Sequence, residues 1–180
     1  MDGMPQKTTY AVEVTEKVHP ESRNAIIRGL LEFNASRLGD LEPTSLDIYV
    51  RDGDGKVVGG LVGDVGLGWL SIHALWVAEE LRGSGLGTDI LKAAENAAIK
   101  YGCHAVILDT LSFQAPGFYE KRGYSRIGVV DGYRGGSQKI FMQKHLDGLS
   151  TRFVHSAHSE NPFFRRMHVS AFNFCMSLFR

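Results

Sequence analysis

The most informative part of the sequence is Ile72-His73-Ala74-Leu75-Trp76-Val77 and, after four intervening residues, Arg82-Gly83-Ser84-Gly85-Leu86-Gly87. The first run is apolar enough for a buried strand, and residues 89–100 carry apolar side chains close to helical spacing. The glycines therefore join the end of a strand to the N-terminus of a helix. Glycines at alternate positions remove the side chains that would keep a phosphate away from the main chain, and the N–H groups of a first helical turn attract anions. This segment thus predicts a pyrophosphate site.

Two common phosphate-binding motifs do not fit the segment. A P-loop requires Gly-Lys-Ser/Thr after its glycines, but Gly87 is followed by Thr88-Asp89. A Rossmann fingerprint would place its third glycine at Thr88, and it usually opens a βαβ unit instead of following ~70 residues of short strands. A glycine-rich turn that only links strand to helix is the remaining structural alternative.

The segment resembles the pyrophosphate loop of the GNAT superfamily of acetyl-CoA-dependent N-acetyltransferases, whose pattern is Arg/Gln-x-x-Gly-x-Gly/Ala after a strand. Arg82, Gly85 and Gly87 occupy the three defined positions. A second family element, Ala-x-x-Phe/Leu-Tyr-x-x-x-Gly-Phe/Tyr, is similar to the stretch from Ala115 to Tyr124. The two motifs occur in the family's order, which favours the resemblance over the turn.

The bulk composition indicates one globular domain. The chain has 180 residues, of which 43% are hydrophobic and 22% charged. Lys plus Arg and Asp plus Glu both number 20, so the charge balance predicts neither a nucleic-acid nor a membrane partner. Cys103 and Cys175 are too few and too distant for a disulfide framework or metal cluster, and we expect no metal. Without an apolar run of ~18 residues, the chain is predicted to be cytoplasmic.

Hydrophobic patterning predicts an α/β chain with a mixed sheet. Asp52 to Gly55 is predicted to be a hairpin turn and not a calcium loop, because Gly63 stands where an EF-hand requires glutamate. Helices are predicted from Pro20 to about Ser36, from Asp89 to Lys100 and from Gln114 to Lys121. The predicted strands are Tyr10–Val14, Leu46–Arg51, Lys56–Val62, Trp69–Val77, Cys103–Asp109, Tyr124–Val130 and Lys139–His145.

The resemblance implies a GNAT-like fold, with a central, mostly antiparallel sheet of six to seven strands flanked by helices. In that fold the strands that carry Leu75 and Leu108 are parallel neighbours that splay apart, and the thioester enters between them. The resemblance also implies the residues that contact acetyl-CoA, through the pantetheine arm, the pyrophosphate or the site near Tyr119. They are Leu75, Trp76, Val77, Arg82, Gly83, Ser84, Gly85, Leu86, Gly87, Thr88, Ser112, Phe118 and Tyr119. Many family members have Asn where this chain has Ser112.

The implied reaction is direct attack of an amine on the acetyl-CoA thioester through a tetrahedral intermediate. Tyr119, at the motif tyrosine, is the candidate general acid for the leaving thiolate, and the Leu75 N–H is the candidate oxyanion donor. His73 is the candidate base, because its strand resembles that of arylalkylamine N-acetyltransferases. Odd positions of this strand share a face, which places His73 beside Leu75. A structural histidine, a water chain, or a carboxylate remains open as an alternative, the carboxylates being Glu13, Asp64 and Glu79.

The sequence therefore predicts an N-acetyltransferase domain over residues 1–147 that acts on a primary amine of a small molecule. The alternatives are acetylation of a protein or peptide amine, and a non-catalytic acyl-CoA-binding sensor. Residues 148–180 are predicted to be an extension with an amphipathic helix, because apolar residues recur there at helical spacing after Asn161-Pro162. We expect that helix to dock on the domain or on a second subunit of a homodimer.

Overall fold

The computed structural model describes residues 10–39 and 43–146 of the chain. These residues belong to two compact units that divide between positions 41 and 42. The predicted extension at residues 148–180 lies outside the described residues. Within the described ranges, no helix combines the length and the apolar character that crossing a membrane requires.

The first unit contains helix α1, Pro20–Leu38. Pro20 occupies the first turn, where its missing N–H costs nothing, and Glu21 complements the helix dipole. Gly39 ends the helix with φ 83° and donates its N–H to the Ala35 carbonyl at 2.9 Å. The predicted helix is confirmed, but the predicted strand Tyr10–Val14 is wrong. That segment is exposed and forms no regular secondary structure, because apolar alternation alone does not provide a neighbouring strand to pair with.

The second unit is built on a six-stranded sheet in the order β1-β2-β3-β4-β6-β5. All neighbouring strands are antiparallel except β3 and β4, which are parallel. This confirms the predicted mixed, mostly antiparallel sheet of six to seven strands, of which six are present in this unit. The strands are β1 Thr44–Arg51, β2 Val57–Gly66, β3 Trp69–Val77, β4 Ala105–Leu111, β5 Ser125–Tyr133 and β6 Ser137–His145. The helices are α2 Leu86–Lys100 and α3 Pro116–Glu120, with 3-10 turns at Glu79–Leu81 and Arg134–Gly136.

The turn between β1 and β2 is held by Asp52. One of its carboxylate oxygens accepts the N–H groups of Asp54 and Lys56 at 3.1 and 2.9 Å, and Gly55 supplies a positive φ of 82°. Asp52 therefore stabilises the hairpin turn, which confirms the turn predicted from the sequence.

The core lies on the face of the sheet that α2 covers. Ile90, Leu91, Ala94 and Ala98 of α2 are buried, and their spacing of three and four residues is that of one helix face. Burying each of the larger side chains contributes about 1.5–3 kcal/mol. The sheet contributes Leu46, Leu61, Val65, Leu70, Ile72, Val106, Leu108, Ile140 and Met142 to the same cluster.

A β-bulge at His73 changes which side chains of β3 share a face. Ala74 pairs with Val62 and Ile72 pairs with Gly63, so His73 is the extra residue without a partner on β2. Leu70 and Ile72 before the bulge are in the core, and Leu75 packs against the same core after it. The prediction that His73 and Leu75 share a face is therefore wrong. The prediction assumed that side chains alternate between the two faces along an unbroken strand, and the bulge inserts one extra residue into that pattern.

The parallel strands β3 and β4 separate just before this bulge. Their pairing runs from Trp69 opposite Ala105 to Ile72 opposite Leu108, and no pair follows, although both strands continue. Residues 73–77 of β3 therefore border a gap that opens toward the C-terminal ends of both strands. We refer to it below as the β3–β4 gap.

A buried polar cluster links α2 to the far part of the sheet. Glu95 of α2 accepts the Tyr124 hydroxyl at 3.0 Å and the Lys144 ammonium at 2.7 Å. Burial raises the pKa of Tyr124, and the Glu95 carboxylate adds to the increase, so the phenol stays protonated and keeps donating.

Glu95→Ala should lower the free energy of unfolding by about 2–4 kcal/mol, because it leaves a phenol and an ammonium group without their partner. Urea unfolding would measure the change, with Asn96→Ala as the matched control, since Asn96 is exposed on the same helix. Equal effects of the two substitutions would show that the cluster contributes nothing beyond helix propensity.

Candidate active site

The glycine-rich loop adopts a conformation that only glycine enters easily. Gly83 has φ 80° and Gly85 has φ 98°, and Gly85 is the N-cap of α2. A Cβ placed on either residue would meet no other atom within 4 Å, so this side of the loop faces open space. Gly87 differs, because its Cβ would lie 3.4 Å from the Phe118 ring. Two glycines thus serve the loop, and the third lets α2 approach α3.

The N–H groups of this loop are available to a ligand. Thr88 and Asp89 donate to the Gly85 carbonyl, and Leu86 donates to the Ser84 hydroxyl at 3.3 Å. Within residues 43–146, the N–H groups of Gly83, Ser84, Gly85 and Gly87 meet no acceptor. Four free donors at a helix N-terminus suit a phosphate group, and the pyrophosphate site stays a prediction.

The edge of β3 offers main-chain groups to the β3–β4 gap. Ala78 donates its N–H to the Val58 carbonyl of β2 at 2.9 Å. The N–H and carbonyl groups of successive residues in a strand point alternately toward one neighbouring strand and toward the opposite side. The N–H and carbonyl of Trp76 therefore join the ladder with β2, whereas those of Leu75 and Val77 face the gap. Arg82 folds back to donate to the Val77 carbonyl at 3.2 Å, which places its guanidinium between the strand edge and the loop.

Tyr119 is buried in α3 beside the loop. Its ring packs edge-on against Phe118 at 5.1 Å and Tyr124 at 5.6 Å between ring centroids. Burial raises the pKa of Tyr119 above its ordinary value, so the phenol carries its proton at neutral pH. A protonated phenol can act as an acid, as the sequence analysis requires of this residue.

Arg122 joins the loop helix to the helix of Tyr119. It donates to the Thr88 hydroxyl at 3.0 Å and to the Phe118 carbonyl at 2.6 Å, and its guanidinium carbon lies 3.7 Å from the centre of the Phe118 ring. The start of α2 is thereby tied to α3. Sequence reasoning missed Arg122, although it lies inside the second motif, because that motif leaves its position undefined.

Ser112 follows the end of β4 and is engaged with β6. Its hydroxyl accepts the Gln138 N–H at 3.0 Å, and its own N–H donates to the Gln138 carbonyl at 2.8 Å. The hydroxyl hydrogen remains free to donate once. An amide side chain would offer a longer reach, so this position differs in its capacity from the family's Asn.

His73 forms a pair with Asp64 on the face of the sheet opposite the core. The His73 Nε2 atom lies 2.5 Å from an Asp64 oxygen, and both side chains are partly exposed. If Nε2 donates its hydrogen to the carboxylate, Nδ1 is left as the acceptor nitrogen. The structure therefore joins the predicted base to one of the three carboxylates considered beside it. Glu79 lies instead in the exposed 3-10 turn before the loop, and Glu13 belongs to the other unit.

The pairing of β2 with β3 explains why spacing alone did not find this pair. Asp64 lies opposite Ser71, and the bulge brings His73 within reach of it.

No group of three metal-ligating side chains occurs among the residues that the structure describes. The site therefore combines a histidine–carboxylate pair, an open strand edge, free loop N–H groups and a buried phenol.

Comparison with known proteins gives a family match over more than half of the chain. The model of the acetyltransferase (GNAT) family matches residues 11–124. An acetyltransferase of Agrobacterium fabrum is 35% identical over 126 residues, which are 70% of this chain and 92% of that relative. The blasticidin-S acetyltransferase of Streptomyces morookaense is 39% identical over 110 residues, which are 59% of this chain and 81% of that one.

A solved structure supports the same likeness. The crystal structure of a candidate acetyltransferase from Agrobacterium tumefaciens superposes with a TM-score of 0.72 at 32% sequence identity. The match covers 76% of this chain and 99% of that one.

Proposed function

Because the chain belongs to the GNAT acetyltransferase family, we propose that it transfers the acetyl group of acetyl-CoA to a primary amine of a small molecule. The attack is direct and passes through a tetrahedral intermediate. The observation that carries the proposal is the set of free N–H groups in the loop at the N-terminus of α2, which follows the open edge of β3. Phe118, next to Tyr119 in α3, lies beside Gly87 of α2. The relative named for acetylating blasticidin S supports a small-molecule acceptor.

The donor fits the residues that are present. The free N–H groups of Gly83, Ser84, Gly85 and Gly87 would hold the pyrophosphate. Main-chain groups of Leu75 and the N–H of Val77 would pair with the amide-bearing pantetheine arm as a strand would. Acetyl-CoA supplies the thioester carbonyl at which the amine reacts. The Leu75 N–H stabilises the oxyanion, and Tyr119 gives its proton to the departing sulfur.

The amine must lose a proton before or during attack. An alkyl amine with a pKa near ~10.4 is only about 0.1% free base near pH 7.4, which corresponds to roughly 4 kcal/mol. His73 accepts this proton at Nδ1, directly or through one water, while Asp64 holds the ring through Nε2 and stabilises the imidazolium. The pair thus lowers the barrier to attack by the amine.

The assay that tests this function combines the protein, acetyl-CoA and a panel of primary amines. Release of the CoA thiol together with an N-acetyl product by mass spectrometry supports it. Activity only on peptide amines would favour the protein-acetylating alternative. Tight acetyl-CoA binding without acetylation of any amine would favour the sensor.

His73→Gln should lower turnover of an alkyl amine by about 10–100-fold, because glutamine cannot accept the proton. Steady-state kinetics at saturating acetyl-CoA measures the change in kcat. Asp64→Asn should lower turnover less, since an amide oxygen still accepts from Nε2.

Glu79→Gln is the matched control, because it removes an exposed carboxylate near the loop and outside the pair. Unchanged turnover in His73→Gln would assign proton removal to another group. A loss of the same size in Glu79→Gln would point to that carboxylate.

A further inference from the structure

The face of the sheet opposite the core carries two exposed aromatic rings with a glycine between them. Tyr49 of β1 lies opposite Gly60 of β2, which lies opposite Trp76 of β3. The Tyr49 residue is 51% exposed and the Trp76 residue is 52% exposed, so two large rings in one row of the sheet are both open to solvent. We call Tyr49, Gly60 and Trp76 the aromatic slot.

The dimensions of the aromatic slot suit one flat group. Neighbouring strands lie ~4.8 Å apart, so the two aromatic residues start from backbones about 10 Å apart. Gly60 adds no side chain to the floor, and a Cβ there would lie 2.3 Å from the Ile48 carbonyl oxygen, so the sheet itself keeps this position open. A planar cation between the rings would lie within ~6 Å of both ring centres.

Negative charge borders the aromatic slot. Asp47 occupies the next row of the same face, and one of its oxygens accepts the Tyr49 hydroxyl at 2.8 Å. Its other oxygen is buried and meets no hydrogen-bond donor among the described residues. A buried carboxylate oxygen normally has a donor, so a ligand N–H would complete this site. The facing positive group is Arg51, whose guanidinium carbon lies 5.7 Å from the Tyr49 ring centre.

The His73–Asp64 pair lies on the same face, farther along the strands. Val62 and Gly60 of β2 flank the core residue Leu61 in sequence, so they lie on the face opposite the core. Their partners in the neighbouring strands lie on the same face, and these are Asp47, Tyr49 and Trp76. His73 is three residues before Trp76 along β3, which corresponds to about 7–10 Å of strand. The distance sets the spacing between a group in the aromatic slot and an amine at His73.

We infer that the acceptor is a primary amine that also carries a planar cation, such as a guanidinium, about 7–10 Å from the reacting nitrogen. The planar cation lies between Tyr49 and Trp76 and donates to Asp47, and the amine reaches His73. This inference rests on the proposed function and specifies its acceptor. It makes Tyr49, Trp76 and Asp47 specificity-determining residues.

The test compares two primary amines, one with and one without a planar cation. Agmatine has a primary amine and a guanidinium separated by four methylene groups, whereas n-pentylamine has no planar cation. Wild-type protein should prefer agmatine in kcat/KM, and Trp76→Leu should reduce that preference about tenfold, mainly through the KM for agmatine. Tyr49→Leu should act in the same direction, and Trp76→Phe should restore part of the preference.

Tyr101→Leu is the matched control, because Tyr101 is an exposed aromatic residue at the end of α2. Its preference should equal that of wild type, and the KM for acetyl-CoA should stay the same in Tyr49→Leu and Tyr101→Leu. If wild type acetylates both amines equally, or if Trp76→Leu leaves the preference unchanged, the inference is overturned while the proposed function stands.

A binding experiment separates the inference from catalysis. The chain has two tryptophans, so Trp69→Phe leaves Trp76 as the only indole. Agmatine should change the fluorescence of that variant in a saturable way, and n-pentylamine should not. This result would support the aromatic slot even if no amine were acetylated. The absence of any change with agmatine would overturn it.

Discussion

Gly85→Glu should abolish measurable binding of acetyl-CoA while the protein remains folded. Gly85 is the N-cap of α2, and the space beside it is open in the structure. A glutamate side chain would occupy that space and bring a negative charge to the place where the free N–H groups of the loop attract the pyrophosphate. Isothermal titration calorimetry with acetyl-CoA measures the loss, and a thermal melt shows that the domain is intact.

Gly85→Ala is the control that separates charge from backbone strain. With φ at 98°, any side chain at this position is strained, at a cost of about 1–2 kcal/mol. Alanine carries that strain without the charge, so it should weaken binding only in part. Equal affinity of wild type and Gly85→Glu for acetyl-CoA would exclude the loop as the pyrophosphate site.

The sequence was sufficient to predict the central part of the fold because several local signals agree there. Strand β3, the glycine loop and helix α2 follow each other with period-two, glycine-rich and helical patterns that leave little ambiguity. The hairpin turn at Asp52 was predictable for the same reason, since its residue types match its hydrogen bonds. The strand at Tyr10 was predicted from alternation alone, and nothing in the sequence could show that it would not pair.

The candidate base illustrates what local pattern cannot supply. His73 was found by its position before Leu75, but its partner depends on the register of β2 against β3 and on one extra residue in β3. Neither the register nor the bulge leaves a signal in the order of amino acids. The same register brings Tyr49, Gly60 and Trp76 into one row, although they lie 11 and 16 residues apart.

Tyr119→Phe should lower turnover by about 10²–10⁴-fold with little change in the affinity for acetyl-CoA. Phenylalanine keeps the edge-on packing against Phe118 and Tyr124 and removes only the hydroxyl. The proton that the leaving sulfur requires would then have to come from water. Steady-state kinetics gives the change in kcat, and calorimetry gives the affinity for acetyl-CoA.

Tyr124→Phe is the matched control, because Tyr124 is a second buried tyrosine in contact with Tyr119. Its hydroxyl donates to Glu95 and belongs to the buried cluster, so its removal should lower stability and leave turnover nearly unchanged. A similar loss of turnover in both variants would assign the effect to packing and not to proton donation.

The pH dependence and the leaving group give the acid role of Tyr119 its strictest test. Burial raises the pKa of Tyr119, so its protonated, active form persists to higher pH, and the rate should fall only as the pH rises above the ordinary tyrosine value of ~10. Tyr119→Phe should lack that fall. The aryl thiolate that leaves from an acetyl thioester of an acidic aryl thiol needs no proton. With this thioester as the donor, Tyr119→Phe should therefore regain most of its turnover. Failure of this donor to restore turnover would show that Tyr119 acts by positioning the donor and not as its acid.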